Sequence, residues 1–290
     1  HMAKRCKSGC LLLVLILSVI SGSLTAHAAA TARPAIVLAA FGTSTAAFDT
    51  YHHFEKAVEQ RFPDHEIRWA FTSRQVRHKR AQEEGQKLNN LATTLRALKA
   101  AGYTRVAIQS LHVVPGEEWE KKVVEESRTV PGLKVALGKP LLASRQDQER
   151  VVRVLSRTFP KDLQHNAVIL VAHGSPSPEG AAAYLAFDRL LRSRYPQQNV
   201  FLGTVEGKPS RQQVWQALKK SAATTVILRP FLFVAGEHVA HDILGAGPHS
   251  WKSELQEMSY HVQGIDQGLG YQKGIVNIYL NHLGQALKEL

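Results

Sequence analysis

Apolar residues follow two rhythms along this chain. The runs AIVLAA (Ala35 to Ala40), TRVAIQ (from Thr104), AVILVA (Ala167 to Ala172) and TTVILRPF (from Thr224) are almost continuously hydrophobic and rich in β-branched residues. That is the pattern of strands buried on both faces. Shorter stretches at Ile67 to Phe71, Lys134 to Leu137, Val200 to Val205 and Tyr260 to Val262 read as four more strands. Between them the apolar positions recur at helical spacing: Phe48 to Arg61, Glu83 to Ala100, Glu117 to Arg128, Asp147 to Thr158, Gly180 to Arg194, Ser210 to Lys220 and Tyr271 to Leu290. Strands alternating with helices of this length predict an α/β fold of parallel sheets flanked by helices.

The pattern also repeats. AIVLAAFGTS (Ala35 to Ser44) pairs with AVILVAHGSP (Ala167 to Pro176), and TRVAIQSLHVVPGEEW (Thr104 to Trp119) pairs with TTVILRPFLFVAGEHV (Thr224 to Val239). The chain therefore reads as two similar Rossmann-like lobes, residues 29–143 and 144–290, with Gly42 matching Gly174 and Gly116 matching Gly236. In such folds ligands bind beyond the carboxyl ends of the strands. There the two halves differ: Phe41 stands opposite His173, and Glu118 opposite His238.

Residues 1–28 are set apart. His1-Met2 reads as a cloning remnant; Lys4, Arg5 and Lys7 precede the apolar run Leu11 to Ile20, and Ala26-His27-Ala28 follows it. This order predicts a cleavable signal peptide and a periplasmic protein, with no later segment apolar enough to span a membrane. The two cysteines, Cys6 and Cys10, both fall in that leader, so a metal site in the mature chain would use histidine and carboxylate.

Composition is ordinary for a globular protein, with 44% hydrophobic and 21% charged residues. The balance of 36 Lys+Arg against 24 Asp+Glu favours an anionic partner. No nucleic-acid module accompanies it, and nucleic acid is not expected. The run TSRQVRHKR (Thr72 to Arg80) places Arg74, Arg77, Lys79 and Arg80 just past a strand end. Such a run is usually a solvated helix face; beside a cleft, Arg74 and Arg77 become candidate donors to substrate carboxylates. The Leu/Ala-rich C-terminal helix offers an apolar face either to a second copy, predicting a homo-oligomer, or to the chain's own sheet.

His173 and His238 end two strands of the second half, Glu206 ends a third after VFLGTV, and Glu118 comes from the matching loop of the first half. Two imidazoles with carboxylates form a nitrogen and oxygen set suited to Co2+, Fe2+, Ni2+ or Zn2+. Each residue alone has an ordinary reading as a hydrogen-bonded loop residue. Their convergence on one cleft argues for a metal site.

AFGTS, AFTS (Ala70 to Ser73), VAIQSLHVVPGEEWEK, AHGS, GTVEG, FLFVAGEHVAHD and SWK (Ser250 to Lys252) run in order through the chain beyond the leader. In this ordered set the sequence resembles the anaerobic-type, class II cobalt chelatases, which insert Co2+ into sirohydrochlorin in cobalamin biosynthesis. The resemblance implies a chelatase fold with the tetrapyrrole held between two lobes. It implies His173 and His238 as metal-binding and catalytic histidines, Glu118 as an aid to proton removal and Glu206 as a metal ligand. Co2+ is the implied substrate metal, with Fe2+ as a variant. A second reading is a periplasmic carrier that binds metal or tetrapyrrole without turnover.

Overall fold

The computed structural model describes residues 32–290. The expected leader, with its predicted cleavage site and both cysteines, lies outside the described residues. Among the described residues, eight strands form two four-stranded parallel sheets. The first holds β1 (Ala35–Ala40), β2 (Ile67–Phe71), β3 (Arg105–Ser110) and β4 (Lys134–Gly138) in the order β2-β1-β3-β4. The second holds β5 (Asn166–Ala172), β6 (Val200–Thr204), β7 (Thr225–Pro230) and β8 (His261–Gly264) in the order β6-β5-β7-β8. The identical order is the duplication expressed in topology.

Each central strand feeds two cores, because successive side chains leave a strand on opposite faces. Ala35, Val37 and Ala39 of β1 join an outer cluster with Leu91, Leu95 and Leu98. Ile36, Leu38 and Ala40 turn into a core that also takes Val168, Leu170 and Ala172 of β5. The remaining β5 residues, Ala167, Ile169 and Val171, pack outward against Val214 and Trp251. The two sheets thus have separate outer cores and share an inner one, which runs across the connection between residues 143 and 144.

The helices are α1 (Asp49–Arg61), α2 (Arg74–Glu83), α3 (Leu91–Ala100), α4 (Arg145–Ser156), α5 (Pro178–Arg194), α6 (Arg211–Leu218), α7 (Trp251–Glu257) and α8 (Lys273–Lys288). The single helix expected from Glu83 to Ala100 does not form. Gly85 takes a left-handed φ of 65° and Asn90 caps a new helix through its side chain to the Thr93 amide, so the chain turns between α2 and α3. The helix expected from Glu117 is a single α turn, Glu117–Trp119, that widens into a π-helical stretch at Glu120–Glu125. A second π stretch, Val239–Ile243, stands at the equivalent place in the other half.

The last helix does not stay with its own lobe. α8 packs on β3 and β4 of the first sheet, and its Ile275, Val276, Tyr279 and Leu283 are buried in the shared inner core. Tyr279 donates to the carbonyls of Leu111 and His112 at 3.3 and 3.1 Å. His282 is buried between the Lys139 carbonyl at 2.9 Å and the Asp147 carboxylate at 3.0 Å. The apolar face of this helix is covered by β3 and β4 of the first sheet and not by the helix's own sheet.

Candidate active site

The loops after β1, β3, β5 and β7 meet in a cleft of about 500 Å³ between the lobes. Its wall is largely apolar, with Phe41, Val76, Val113, Trp119, Leu232 and Phe233 among the contributors. Phe41 is 51% exposed, an unusual state for a large aromatic.

Two equivalent turns shape the floor. Gly42 and Gly174 have φ of 103° and 99°, the left-handed region that favours glycine. The Gly42 amide donates to the Tyr51 hydroxyl at 3.1 Å, and Tyr184 meets the backbone of Gly174 in the same way. Burial pushes both phenols well above the ordinary tyrosine range, so they stay protonated. At Gly174 a Cβ would collide with the Glu206 carbonyl oxygen. The glycine therefore lets the loop after β6 lie against the turn that carries His173. The Glu206 amide donates to the His173 carbonyl at 2.9 Å, and the Ser73 amide does the same to Phe41 in the first half, at 3.1 Å.

The lobes also touch through glycines. A Cβ on Gly116 would stand 2.8 Å from Ser175 Oγ, and one on Gly236 would stand 2.8 Å from Thr43 Oγ1. Each half thus inserts its glycine against the hydroxyl residue of the other half's turn. This crossed contact fixes the loop bearing Glu118 against the one bearing His173, and the loop bearing His238 against β1's turn.

His173 and His238 come together, with ring centroids 4.7 Å apart and planes 76° from parallel. The Asp242 carboxylate accepts from Nδ1 of His238 at 2.6 Å, which in the neutral ring leaves the lone pair on Nε2. Over residues 34–288 the chain matches the family model described as cobalt chelatase (CbiK).

The chain belongs to the CbiK cobalt chelatase family.

It is 34% identical over 263 residues to sirohydrochlorin cobaltochelatase CbiKC of Nitratidesulfovibrio vulgaris, covering 89% of this chain and 92% of that protein. It is 32% identical over 265 residues to the sirohydrochlorin cobaltochelatase of Salmonella typhimurium, covering 88% and 97%. Among solved structures, SirB from Bacillus subtilis with Fe3+ aligns with a TM-score of 0.62 at 16% identity, covering 88% of this chain and 95% of that one. CbiX, the terminal enzyme of siroheme biosynthesis in denitrifying bacteria, aligns at 0.51 and 13% identity, covering 87% and 99%. These structural likenesses establish the chelatase fold.

In this CbiK-family chain Glu118 lines the cleft with the two histidines. Glu206 sits beside His173 through its backbone, but its side chain is exposed and does not line the cleft. Among the described residues no group of three or more His, Cys, Asp or Glu side chains is poised to hold a metal ion. The two nominated arginines are elsewhere. Arg77 donates to the carbonyls of Phe71 and Thr72 at 2.6 and 3.0 Å, so its guanidinium closes the end of β2, and desolvation lowers its pKa. Arg74 is exposed and does not line the cleft. Neither is placed to meet a ligand's carboxylate there.

Several cleft residues were not singled out from the sequence as site residues. Lys79 and Glu237 face each other across the lobes at 2.7 Å, and Ser44 donates to the same Glu237 oxygen at 2.6 Å. The hydrogen bond from Lys79, then that from Ser44, holds the Glu237 carboxyl below its usual range. His112 lines the cleft with Nδ1 on Ser110 Oγ at 2.8 Å and Nε2 enclosed without a partner among the described residues. Burial lowers its pKa to about 4.

Proposed function

We infer that this chain is a sirohydrochlorin cobaltochelatase, inserting Co2+ into the metal-free macrocycle, with Fe2+ as a second substrate metal. The observation that carries the assignment of residues is the meeting of His173 and His238 at 4.7 Å in one cleft of a CbiK-family fold.

The reaction exchanges two pyrrole protons for one divalent cation. A site for it must hold the ion long enough to aim it and loosely enough to give it up. Two imidazoles do that. Glu206 adjoins His173 through its backbone, and its exposed carboxylate would join the imidazoles only by turning into the cleft. Nε2 of His238, free of the bond to Asp242, offers its lone pair to the metal or to a departing proton. Glu118, on the loop from the opposite lobe, takes the second proton. Neutral imidazole and carboxylate are suitable acceptors near neutral pH. The largely apolar walls suit a flat, conjugated ring.

The test is the absorbance of sirohydrochlorin mixed with protein and Co2+, followed against a protein-free control. A rate above the control supports turnover; binding without acceleration would favour the carrier reading. The leader pattern supports export to the periplasm. Fractionation of expressing cells, with the amino terminus of the exported protein sequenced near Ala29, tests that part separately.

A further inference from the structure

Among the residues lining the cleft, Lys79 is the one lysine or arginine. Two neighbouring cations of α2 are committed to the fold, and Arg74 lies exposed outside the cleft. Arg77 is spent on the β2 carbonyls. Arg80 is buried, paired with Glu84 at 2.6 Å and bonded to Gln86 at 2.7 Å, with its guanidinium over the Phe48 ring. Among the described residues lining the cleft, Lys79 carries its charge across the space between the lobes to the Glu237 carboxylate.

That pairing is not a by-product of the duplicated architecture. Gly116-Glu117 corresponds to Gly236-Glu237, yet Glu117 turns back to Lys121 on its own helical segment and does not cross. Ser44, which donates to Glu237, corresponds to Pro176, which has no donor to offer. One half crosses the cleft with its glutamate and the other does not. Both ends of the crossing pair are also about half exposed, at 42% and 48%. An exposed pair of this kind contributes little net stability, so a competing carboxylate can replace its acidic member at little cost.

We propose that Lys79 is the anchor for a carboxylate of the macrocycle, and that Glu237 is an internal stand-in which the substrate displaces. The inference rests on the chelatase reading, because sirohydrochlorin carries carboxylate side chains around its ring. Its consequence reaches the metal site. Glu237 immediately precedes His238, so releasing it from Lys79 and Ser44 frees the loop that carries one of the two imidazoles. The macrocycle's arrival and the mobility of His238 are thereby coupled through one exchange of ion pairs.

The experiment is a steady-state series on the full chain, varying sirohydrochlorin at saturating Co2+, for wild type, Lys79→Met and Glu237→Gln. Losing a charge-assisted hydrogen bond to the substrate should raise KM for Lys79→Met roughly tenfold, with more of the loss in KM than in kcat. Glu237→Gln should shift KM the other way, because the lysine no longer has a carboxylate to be displaced. A bridge whose only task is to hold the lobes together would move both variants in the same direction, and that result overturns the proposal. An unchanged KM in Lys79→Met also overturns it. If Lys79→Met does not fold, Glu237→Gln decides alone: a lower KM supports the exchange, and an equal or higher one rejects it. If wild type shows no turnover, the chelatase reading has failed. The same variants are then compared by spectroscopic titration with metal-free sirohydrochlorin, where the same opposite signs in Kd support the anchor and their absence rejects it.

Discussion

A histidine that closes a buried β-strand is conspicuous because everything before it is apolar, and His173 could be singled out for that reason; His238 lies beyond the end of β7, at the start of the second π stretch. The repeat sharpened the signal, since Phe41 and Glu118 stand at the corresponding positions. If His238 both receives the metal and accepts a proton, His238→Ala should lower the Co2+ insertion rate by at least about 100-fold. The circular dichroism of the variant should match wild type, because the residue is exposed and outside the core. Near-normal rates in a folded variant would end the two-histidine mechanism. Other residues gave no local sign. Lys79 and Glu237 are 158 positions apart, and the charge run around Lys79 did not show which cation faces the cleft. Asp242 could have been found, since it lies four residues after His238 on a helical stretch.

His112 makes a prediction about pH. Its pKa falls from 6.5 to about 4 on folding. Between those values the unfolded chain binds a proton that the folded chain refuses, so stability is lost as pH falls through the window. The loss is at most about 1.4 kcal/mol per pH unit from this group. In His112→Asn, urea midpoints measured at pH 7, 5.5 and 4.5 should decline less steeply than in wild type. Parallel declines would show that His112 is not the group responsible.

At the scale of elements, β1, β3, β5 and β7 were legible because strands buried on both faces leave nearly unbroken apolar runs. The helix boundaries were less so. The break between α2 and α3 depends on Gly85 and on the Asn90 cap, both of which interrupt a spacing that is otherwise helical on either side. The short α7 went unnoticed because only Trp251 and Leu255 among its seven residues are buried. The packing of α8 on α4 centres on His282 and Asp147, buried at 4% and 6% side-chain exposure. Removing the imidazole leaves a buried carboxylate with only Arg150 and Ser144 for company. His282→Ala should therefore cost about 2 kcal/mol in urea unfolding, from the lost hydrogen bonds and the cavity left behind. A loss below about 0.5 kcal/mol, the level of an ordinary surface substitution, would mean that the site relaxes freely.

At the scale of the whole molecule, the α/β class and the doubling of the unit could be read in advance, but the path of the last helix could not. An amphipathic face states that it must be covered and does not state by which sheet. Here residues 273–288 cover β3 and β4, while Arg105 and Lys134 at the near ends of those strands both donate to the Leu290 carbonyl. A fragment ending at residue 143 should consequently lack a cooperative unfolding transition, and adding residues 144–290 in trans should restore one. A fragment that melts sharply by itself would show that the first sheet does not need the helix.

The crossing of α8 also has a bearing on how the chain is made. A duplicated protein could in principle let its first copy finish folding while the second is still being translated. This one cannot: the part of the amino-terminal sheet's inner face formed by β3 and β4 stays uncovered by its helix until the final segment emerges. Nascent chains are therefore exposed to chaperones for the whole of the second half's synthesis, and a premature stop almost anywhere yields a product that is sticky and not merely inactive. The same closure ensures that no chain acquires a finished cleft before it is complete.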